Sequence, residues 1–205
     1  MKIIAFVGAS ESGKTRLIAR LVPELKRRGL AVAVVKHCGH GFDLGASNKD
    51  SSKFLAAGAD GVALSGPDRT AVLRKADRAA CGVCDDQAGL AGRVDQVVRV
   101  DQVVRDDLVV GLGALARKEF PAADIVLVEG GKSDRALRKI EVLRSGVSEG
   151  LRTPPDELEA IVADRPVAGA TVPLFSPDRV DEIADWLAGT KKSGMTPSNR
   201  RPRRP

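Results

Sequence analysis

Gly8-Ala9-Ser10-Glu11-Ser12-Gly13-Lys14-Thr15, close to the N-terminus, has the G-x-x-x-x-G-K-T spacing of a Walker A phosphate-binding loop. The six residues before it, Lys2–Val7, are mostly apolar and rich in β-branched side chains, which is typical of a buried parallel strand. After it, apolar residues recur at helical spacing and end before Gly29, which suits a helix C-terminus: Leu17, Ile18, Leu21, Val22 and Leu25. The loop is therefore predicted to join a strand to a helix, the setting in which it binds phosphate.

The residue types in this loop match the chemistry of a bound triphosphate. Gly8 and Gly13 allow the backbone to curl, so that its N–H groups point at phosphate oxygens. The Lys14 ammonium places a positive charge on the terminal phosphates, and the Thr15 hydroxyl can ligate Mg²⁺. The N-terminus of the following helix adds partial positive charge. The loop therefore predicts nucleotide binding, with contacts from Gly8, Ser10, Ser12, Gly13, Lys14, Thr15 and Arg16.

Charge and composition restrict the possible partners. The chain of 205 residues has a formal net charge of +6, but residues 190–205 hold six basic residues and no acid, so the excess charge lies in a tail. That tail is predicted to be disordered because Pro, Ser and Gly separate its charges, and residues 1–189 are predicted to form one domain. Only 3% of residues are aromatic and none is Tyr, so stacking on bases is disfavoured and no specific nucleic-acid partner is expected.

The cysteines and the hydropathy pattern bear on location. Three cysteines form an odd and sparse set, which argues against a disulfide framework and favours a reducing cytoplasm. No apolar run approaches the roughly 20 residues of a membrane-spanning helix, and the N-terminus lacks a signal-peptide pattern. The chain is therefore expected to be cytoplasmic, with no membrane partner.

Cys81 and Cys84 have the C-x-x-C spacing of half a zinc or redox site, or are a chance pair in a variable loop.

The rest of the chain alternates strand and helix patterns, which favours an α/β fold: a mostly parallel sheet flanked by helices, similar to P-loop NTPases. Buried strands are predicted at Ala31–Lys36, Asp124–Glu129, Lys139–Leu143 and Ala160–Asp164, with a strand pair around the turn Gly66–Asp68. Further helices are predicted from an N-cap at Asp50 or Ser51, between Leu108 and Phe120, and after a cap at Ser176 or Asp178. Residues 75–106 are predicted to be an irregular connection that contains a tandem hexapeptide repeat.

Polar residues follow two of the predicted strands, and ligands of a parallel sheet bind at the carboxyl ends of its strands. The second strand leads into Lys36-His37-Cys38-Gly39-His40-Gly41-Phe42-Asp43. The strand Asp124–Glu129 ends in a carboxylate that can hold Mg²⁺ together with Thr15, so both residues are predicted metal ligands. His37 and His40 could ligate a metal, act as acid or base near a phosphate, or donate hydrogen bonds to a substrate.

Five motifs, in this order, resemble the adaptor protein B (MobB) family of molybdopterin-guanine dinucleotide biosynthesis over most of residues 1–189: G-A-S-E-S-G-K-T, K-H-C-G-H-G-F-D, K-D-S, L-V-E-G-G-K and K-I-E-V. The resemblance implies a cytoplasmic, dimeric protein that binds Mg²⁺ and GTP. It would assist the guanylyltransferase that joins GMP to molybdopterin, possess at most weak GTP hydrolysis and need no catalytic residue of its own.

The same resemblance assigns residues to roles. It implies a switch or substrate loop built from Lys36, His37, His40, Asp43, Lys49, Asp50, Gly130 and Lys132. It also implies that Asp164 accepts hydrogen bonds from guanine. Four features depart from the family pattern. Glu11 stands where a small residue is common, Gly39 where the first of two adjacent histidines is usual and Gly131 where an aromatic residue is frequent, and Gly45-Ala46-Ser47-Asn48 lacks the usual Asp-x-Pro-Gly pattern.

Two other functions share these residues. A small-molecule kinase has the same loop and Mg²⁺ carboxylate, but it usually adds an arginine-rich lid, for which Arg69, Arg74 and Arg78 are candidates. A GTPase that delivers a metal to another enzyme would use Cys38, His37, His40 and the C-x-x-C pair as transfer ligands. The adaptor ranks first, the kinase second and the metal-delivery protein third.

Overall fold

The computed structural model describes residues 1–42, 49–74 and 111–189. In chain order its elements are β1 (Lys2–Val7), α1 (Lys14–Arg27), β2 (Val32–His37), α2 (Lys49–Ala56), β3 (Gly61–Ser65), β4 (Thr70–Arg74), α3 (Leu112–Glu119), β5 (Ile125–Glu129), β6 (Arg138–Leu143), β7 (Leu158–Ala163), β8 (Leu174–Phe175) and α4 (Val180–Leu187). Strands and helices alternate from β1 to β3, as the apolar patterns predict, whereas β5 to β8 follow one another with no helix between them in the described residues.

All eight strands belong to one sheet, in the order β4-β3-β2-β5-β1-β6-β7-β8. Within the described ranges, β3 and β4 pair antiparallel around the predicted turn, and the other strand pairs are parallel. The predicted α/β class with a mostly parallel sheet is confirmed. As a consequence, β2, β5, β1, β6 and β7 end at the same edge of the sheet, which is where ligands bind in such folds.

Helices cover both faces of the sheet because successive strand residues point to opposite sides. On one face α1, α2 and α4 pack over side chains such as Ile4 and Phe6, which are fully buried. On the other face α3 packs over Ala5, Val35 and Val128. This two-sided burial is why β1 and β5 are continuously apolar instead of alternating. It also holds the loop after β1 rigidly at its base.

Two predicted helix caps are wrong. Helix α2 begins at Lys49, so Asp50 and Ser51 lie inside its first turn instead of preceding it. The N-cap of α4 is Arg179, without a side-chain cap, whereas the Ser176 hydroxyl accepts a bond from the backbone N–H of Asp178. Short polar side chains also stabilise turns, and that use competes with capping. The short edge strand β8 was not predicted.

Several predictions fall outside the described residues. These are the irregular connection and its repeat at 75–106, the Cys81–Cys84 pair, the basic tail at 190–205 and Asp43 in the loop after β2. Among the residues that are described, none of the helices is long and apolar enough to cross a membrane.

Candidate nucleotide-binding site

The Walker A loop (residues 8–15) turns sharply between β1 and α1. Gly8 has φ +140°, and a Cβ there would lie 2.4 Å from the Val142 carbonyl oxygen of the neighbouring strand β6. Gly13, with φ +94°, is the N-cap of α1. Both glycines therefore stand at backbone conformations that L side chains rarely adopt. Glu11 also has positive φ, +60°, and its exposed side chain points away from the core.

Lys14 lies in the concave side of this loop. Its ammonium donates to the carbonyl oxygens of Ala9 and Gly8, at 2.6 and 3.3 Å, and to the Ser12 hydroxyl at 3.4 Å. Burial of the ammonium lowers the pKa of Lys14, which the nearby Glu129 opposes and the second lysine Lys36 reinforces. The loop thus holds a partly desolvated ammonium group, which favours the binding of an anion at this position.

Thr15, Glu129 and Lys36 form a chain of contacts beside Lys14. The Thr15 hydroxyl donates to Glu129 Oε1 at 2.5 Å, and the Lys36 ammonium lies 3.2 Å from Glu129 Oε2. The Glu129 side chain is only 9% exposed. The pairing of β1 with β5, and of β5 with β2, brings the three residues together although Glu129 lies 93 positions after Lys36 and 114 after Thr15. The sequence predicts Thr15 and Glu129 as ligands of one metal ion, and the structure places Lys36 beside them.

A cavity of about 970 Å³ opens over these side chains. Its charged lining residues are six basic and two acidic: Lys14, Arg16, Arg20, Lys36, Lys53 and Arg144 against Glu11 and Glu129. The cavity also exposes the N-terminus of α1, whose backbone N–H groups favour anions. A cleft of this volume is within the range of small-molecule sites, and its charge suits a polyphosphate.

The oxygens of Thr15 and Glu129 fit the donor preference of Mg²⁺. This ion takes oxygen ligands at about 2.0–2.1 Å in an octahedron, so neighbouring ligands lie about 2.9 Å apart. The two oxygens are 2.5 Å apart here. An opening of a few tenths of an ångström would let them share a metal, directly or through water. Among the described residues no group of three or more His, Cys, Asp or Glu side chains is placed to hold a metal ion.

The motif after β2 is only partly in the cavity. Lys36 lines it, whereas His37 and His40 are exposed and do not line it. The backbone N–H of Cys38 donates to the Ser65 carbonyl oxygen at 2.7 Å, which ties the start of this loop to β3. Lys49 and Asp50 begin α2, and only their backbone is described. The substrate and switch roles of these residues stay predictions.

The loop after β5 uses two consecutive glycines. Gly130 and Gly131 have φ +93° and +77°, and a Cβ on Gly130 would lie 3.2 Å from His37 Cβ. A Cβ on Gly131 would lie 2.7 Å from Leu112 Cδ1 at the start of α3, so any larger side chain here would have to displace Leu112 and adopt a left-handed backbone. Lys132 is exposed and does not line the cavity.

Asp164 follows β7 and does not line the cavity. Its Oδ1 accepts bonds from the backbone N–H and the hydroxyl of Ser145, both at 2.9 Å, and its Oδ2 lies 3.1 Å from the same N–H. The hydrogen bond from the Ser145 hydroxyl, more than any other contact, holds the pKa of Asp164 below its ordinary value. Both oxygens are therefore engaged by the turn after β6, and its contact with guanine stays a prediction.

Comparison with known proteins points to one family. The family model of molybdopterin guanine dinucleotide synthesis protein B, MobB, matches residues 3–104, which include the Walker A loop and the motif after β2. A molybdopterin-guanine dinucleotide biosynthesis adapter protein of Haemophilus influenzae is 26% identical over 90% of this chain and 86% of its own length. The Escherichia coli adapter protein is 27% identical over 90% of both chains. The chain belongs to the MobB family.

A solved MobB structure agrees with the fold. The crystal structure of Bacillus subtilis MobB matches with a TM-score of 0.52 at 22% identity, over 94% of this chain and all of the other. At that identity the match supports the P-loop NTPase-like arrangement of sheet and helices alone. Within the MobB family pattern, Glu11 is accommodated because its side chain is exposed, and Gly131 because Leu112 occupies the space beside it.

Sequence reasoning missed three basic residues of the cavity, Arg20, Lys53 and Arg144. Arg20 and Lys53 lie on the helices α1 and α2, where an exposed cation carries no signal of its own. Arg144, however, is the first residue after β6, whose last residue is Leu143. The rule that placed Glu129 and Lys36 at the carboxyl edge of the sheet would have found Arg144 as well.

Proposed function

We propose that this protein is a GTP-binding adaptor in molybdopterin-guanine dinucleotide biosynthesis. Membership of the MobB family supports the adaptor role in that pathway. The observation that carries the nucleotide site is the Walker A loop with Lys14, Thr15 and Glu129 converging on one cationic cavity. The nucleotide phosphates would lie against the loop backbone and the N-terminus of α1.

In this proposal each residue of the site has a separate role toward the nucleotide or the metal. Lys14 would exchange its bonds to the loop carbonyls for phosphate oxygens, and phosphate binding would offset the cost of burying its charge. Thr15 and Glu129 would hold Mg²⁺, which supplies positive charge between the terminal phosphates. Lys36 would neutralise the charge of Glu129 when the carboxylate is not on the metal.

GTP hydrolysis is expected to be slow at most. A carboxylate acts as a general base only through an oxygen that is free to accept a proton from water. Both oxygens of Glu129 are engaged, one by Thr15 and the other by Lys36. The protein would therefore act through its nucleotide-bound conformation and through contact with the guanylyltransferase, with molybdopterin as a further ligand. A homodimer in the cytoplasm is part of the same proposal.

Titration calorimetry of Mg²⁺-GTP against Mg²⁺-ATP tests the nucleotide site. We expect guanine-selective binding that Lys14→Ala weakens about 100-fold, because a charge pair at about 4 Å contributes several kcal/mol in a partly desolvated site. Lys118→Ala is the matched control, since that lysine is exposed on α3 away from the cavity. Equal affinity in the Lys14→Ala protein would contradict the site.

The partner is tested separately. Co-elution of the chain with the guanylyltransferase in the presence of GTP, and light scattering of the chain alone, report on the complex and on the dimer. Preference for ATP together with a phosphorylated product would favour the kinase over the adaptor. Stoichiometric transition metal in the purified protein would favour the metal-delivery GTPase.

A further inference from the structure

The order of strands gives the bound nucleotide a direction. Lys36 and Glu129 belong to β2 and β5, which lie on one side of β1, whereas β6 and β7 lie on the other side. In the proposed function, on which this inference rests, the terminal phosphates and the metal lie near Glu129. A linear nucleotide whose phosphates cross the N-terminus of α1 must then extend its nucleoside toward the turns after β6 and β7.

The turn after β6 presents Arg144 to that end of the cavity. Arg144 lines the cavity with an exposed side chain, and its Nη1 donates to the Glu11 carbonyl oxygen of the Walker A loop at 3.3 Å. The turn closes through bonds from the N–H groups of Val147 and Ser148 to the Arg144 carbonyl oxygen, at 3.1 and 2.9 Å. Gly146 supplies the left-handed residue of the turn, with φ +74°.

Two residues after β7 fix this turn in place. The Asp164 carboxylate accepts the backbone N–H and the hydroxyl of Ser145, directly beside Arg144. Arg165 donates to the carbonyl oxygen of Ser148 at 2.5 Å. The guanidinium of Arg144 is thus carried on a turn that is anchored at both ends, although the side chain itself is exposed.

We propose that the turn at residues 144–148 is the nucleoside-facing wall of the site, that Arg144 contacts the nucleoside there, and that Asp164 is a positioning residue that acts through Arg144. A planar guanidinium suits this role because it can stack on an aromatic base and donate to ribose or base oxygens at the same time. Asp164 holds the turn in place through its hydrogen bonds with Ser145, and it does not itself contact the nucleoside.

Paired titrations with GTP and inorganic triphosphate test the proposal, because the second probe has phosphates but no nucleoside. Arg144→Ala is expected to weaken GTP about tenfold and to change triphosphate affinity by less than about twofold. Asp164→Ala should weaken GTP in the same selective way, and it should add nothing in the Arg144→Ala background. Arg152→Ala, an exposed arginine of the same segment outside the cavity, is the matched control and should behave as wild type.

Each other outcome is informative. Equal weakening of GTP and triphosphate by Arg144→Ala would make the residue a general electrostatic contact and overturn the proposal. Unchanged GTP affinity would overturn it too, and additive losses would overturn the positioning role of Asp164. If Arg144→Ala fails to fold, Arg144→Lys replaces it and should retain triphosphate binding while losing GTP affinity. A wild-type chain that binds neither probe would instead refute the proposed function, which is a distinguishable failure.

Discussion

Replacing Glu129 by Gln separates the structural role of this carboxylate from its role toward a metal. The side chain keeps its shape. Its amide oxygen can accept a hydrogen bond from the Lys36 ammonium while its NH₂ group donates to the Thr15 hydroxyl. What is lost is one negative charge in a site that is 9% exposed, facing a lysine that is 18% exposed. A hydrogen bond between charged groups contributes about 1.5–3 kcal/mol, so we expect Glu129→Gln to lower the free energy of unfolding by about 2 kcal/mol.

That loss corresponds to a fall of about 4–8 °C in the melting temperature of a chain of this size. The functional change is larger and has a different signature. Loss of even an outer-shell partner of a metal typically costs about 10- to 100-fold in metal affinity, so the gain in GTP affinity that Mg²⁺ provides should shrink by at least about tenfold. Metal-free GTP should bind equally well or better, because the variant removes a negative charge next to the phosphates.

Chemical unfolding and GTP titrations with and without Mg²⁺ measure the two effects. Glu119→Gln is the matched control, because Glu119 pairs with Arg74 at 3.1 Å on the opposite face of the sheet. It should lower stability by less, up to about 1 kcal/mol, because the Arg74 side chain is 42% exposed, and it should leave the Mg²⁺ dependence unchanged. A Glu129→Gln protein whose GTP affinity responds to Mg²⁺ as wild type does would refute the assignment of this residue to the metal.

Three further predictions concern other parts of the molecule. Gly131→Ala should lower the free energy of unfolding by about 2–3 kcal/mol in denaturant titrations, because it combines a left-handed backbone with a Cβ 2.7 Å from Leu112 Cδ1. Lys139→Met should cost about 3 kcal/mol in the same assay, since it leaves the buried Glu157 carboxylate without its ammonium partner. Inorganic triphosphate affinity should fall as pH rises through the lowered pKa of Lys14, below the ordinary 10.5, and a titration series from neutral to alkaline pH should show Lys14→Arg to be flatter. Stability without ligand should rise over that pH range, because the unfolded lysine binds its proton more tightly than the folded one.

The pattern of apolar residues predicted strands and helices well where the element is buried and its pattern fits only one kind of secondary structure. The strand that ends at Glu129 is continuously apolar, and the helix face from Leu17 to Leu25 is fully buried, so both were found nearly to the residue. Helix starts were harder, because a polar residue such as Ser176 can bond within a turn as easily as it caps a helix. The two-residue strand β8 is too short to carry any period.

The Walker A residues of the site could be predicted from the sequence, but the contacts between side chains on different strands could not. The Walker A spacing is local, so Lys14 and Thr15 could be assigned from sequence. The contact of Lys36 with Glu129 depends on β2 lying next to β5, an order of strands that no local pattern states. The resemblance implies that Asp164 contacts guanine. In the structure its oxygens bond the turn after β6, and the guanine contact stays a prediction.

The close approach of Gly8 to β6 bears on how mutational data for this family should be interpreted. A methyl group at this position would meet the Val142 carbonyl oxygen at 2.4 Å, whereas one at Gly13 would meet no atom within 4 Å. Selection at Gly8 therefore acts on folding whether or not a nucleotide is bound, and Gly13 is constrained in the same way by its φ of +94°. A lineage that gave up nucleotide binding would still be expected to retain both motif glycines, so Lys14 is the better marker of a functional site.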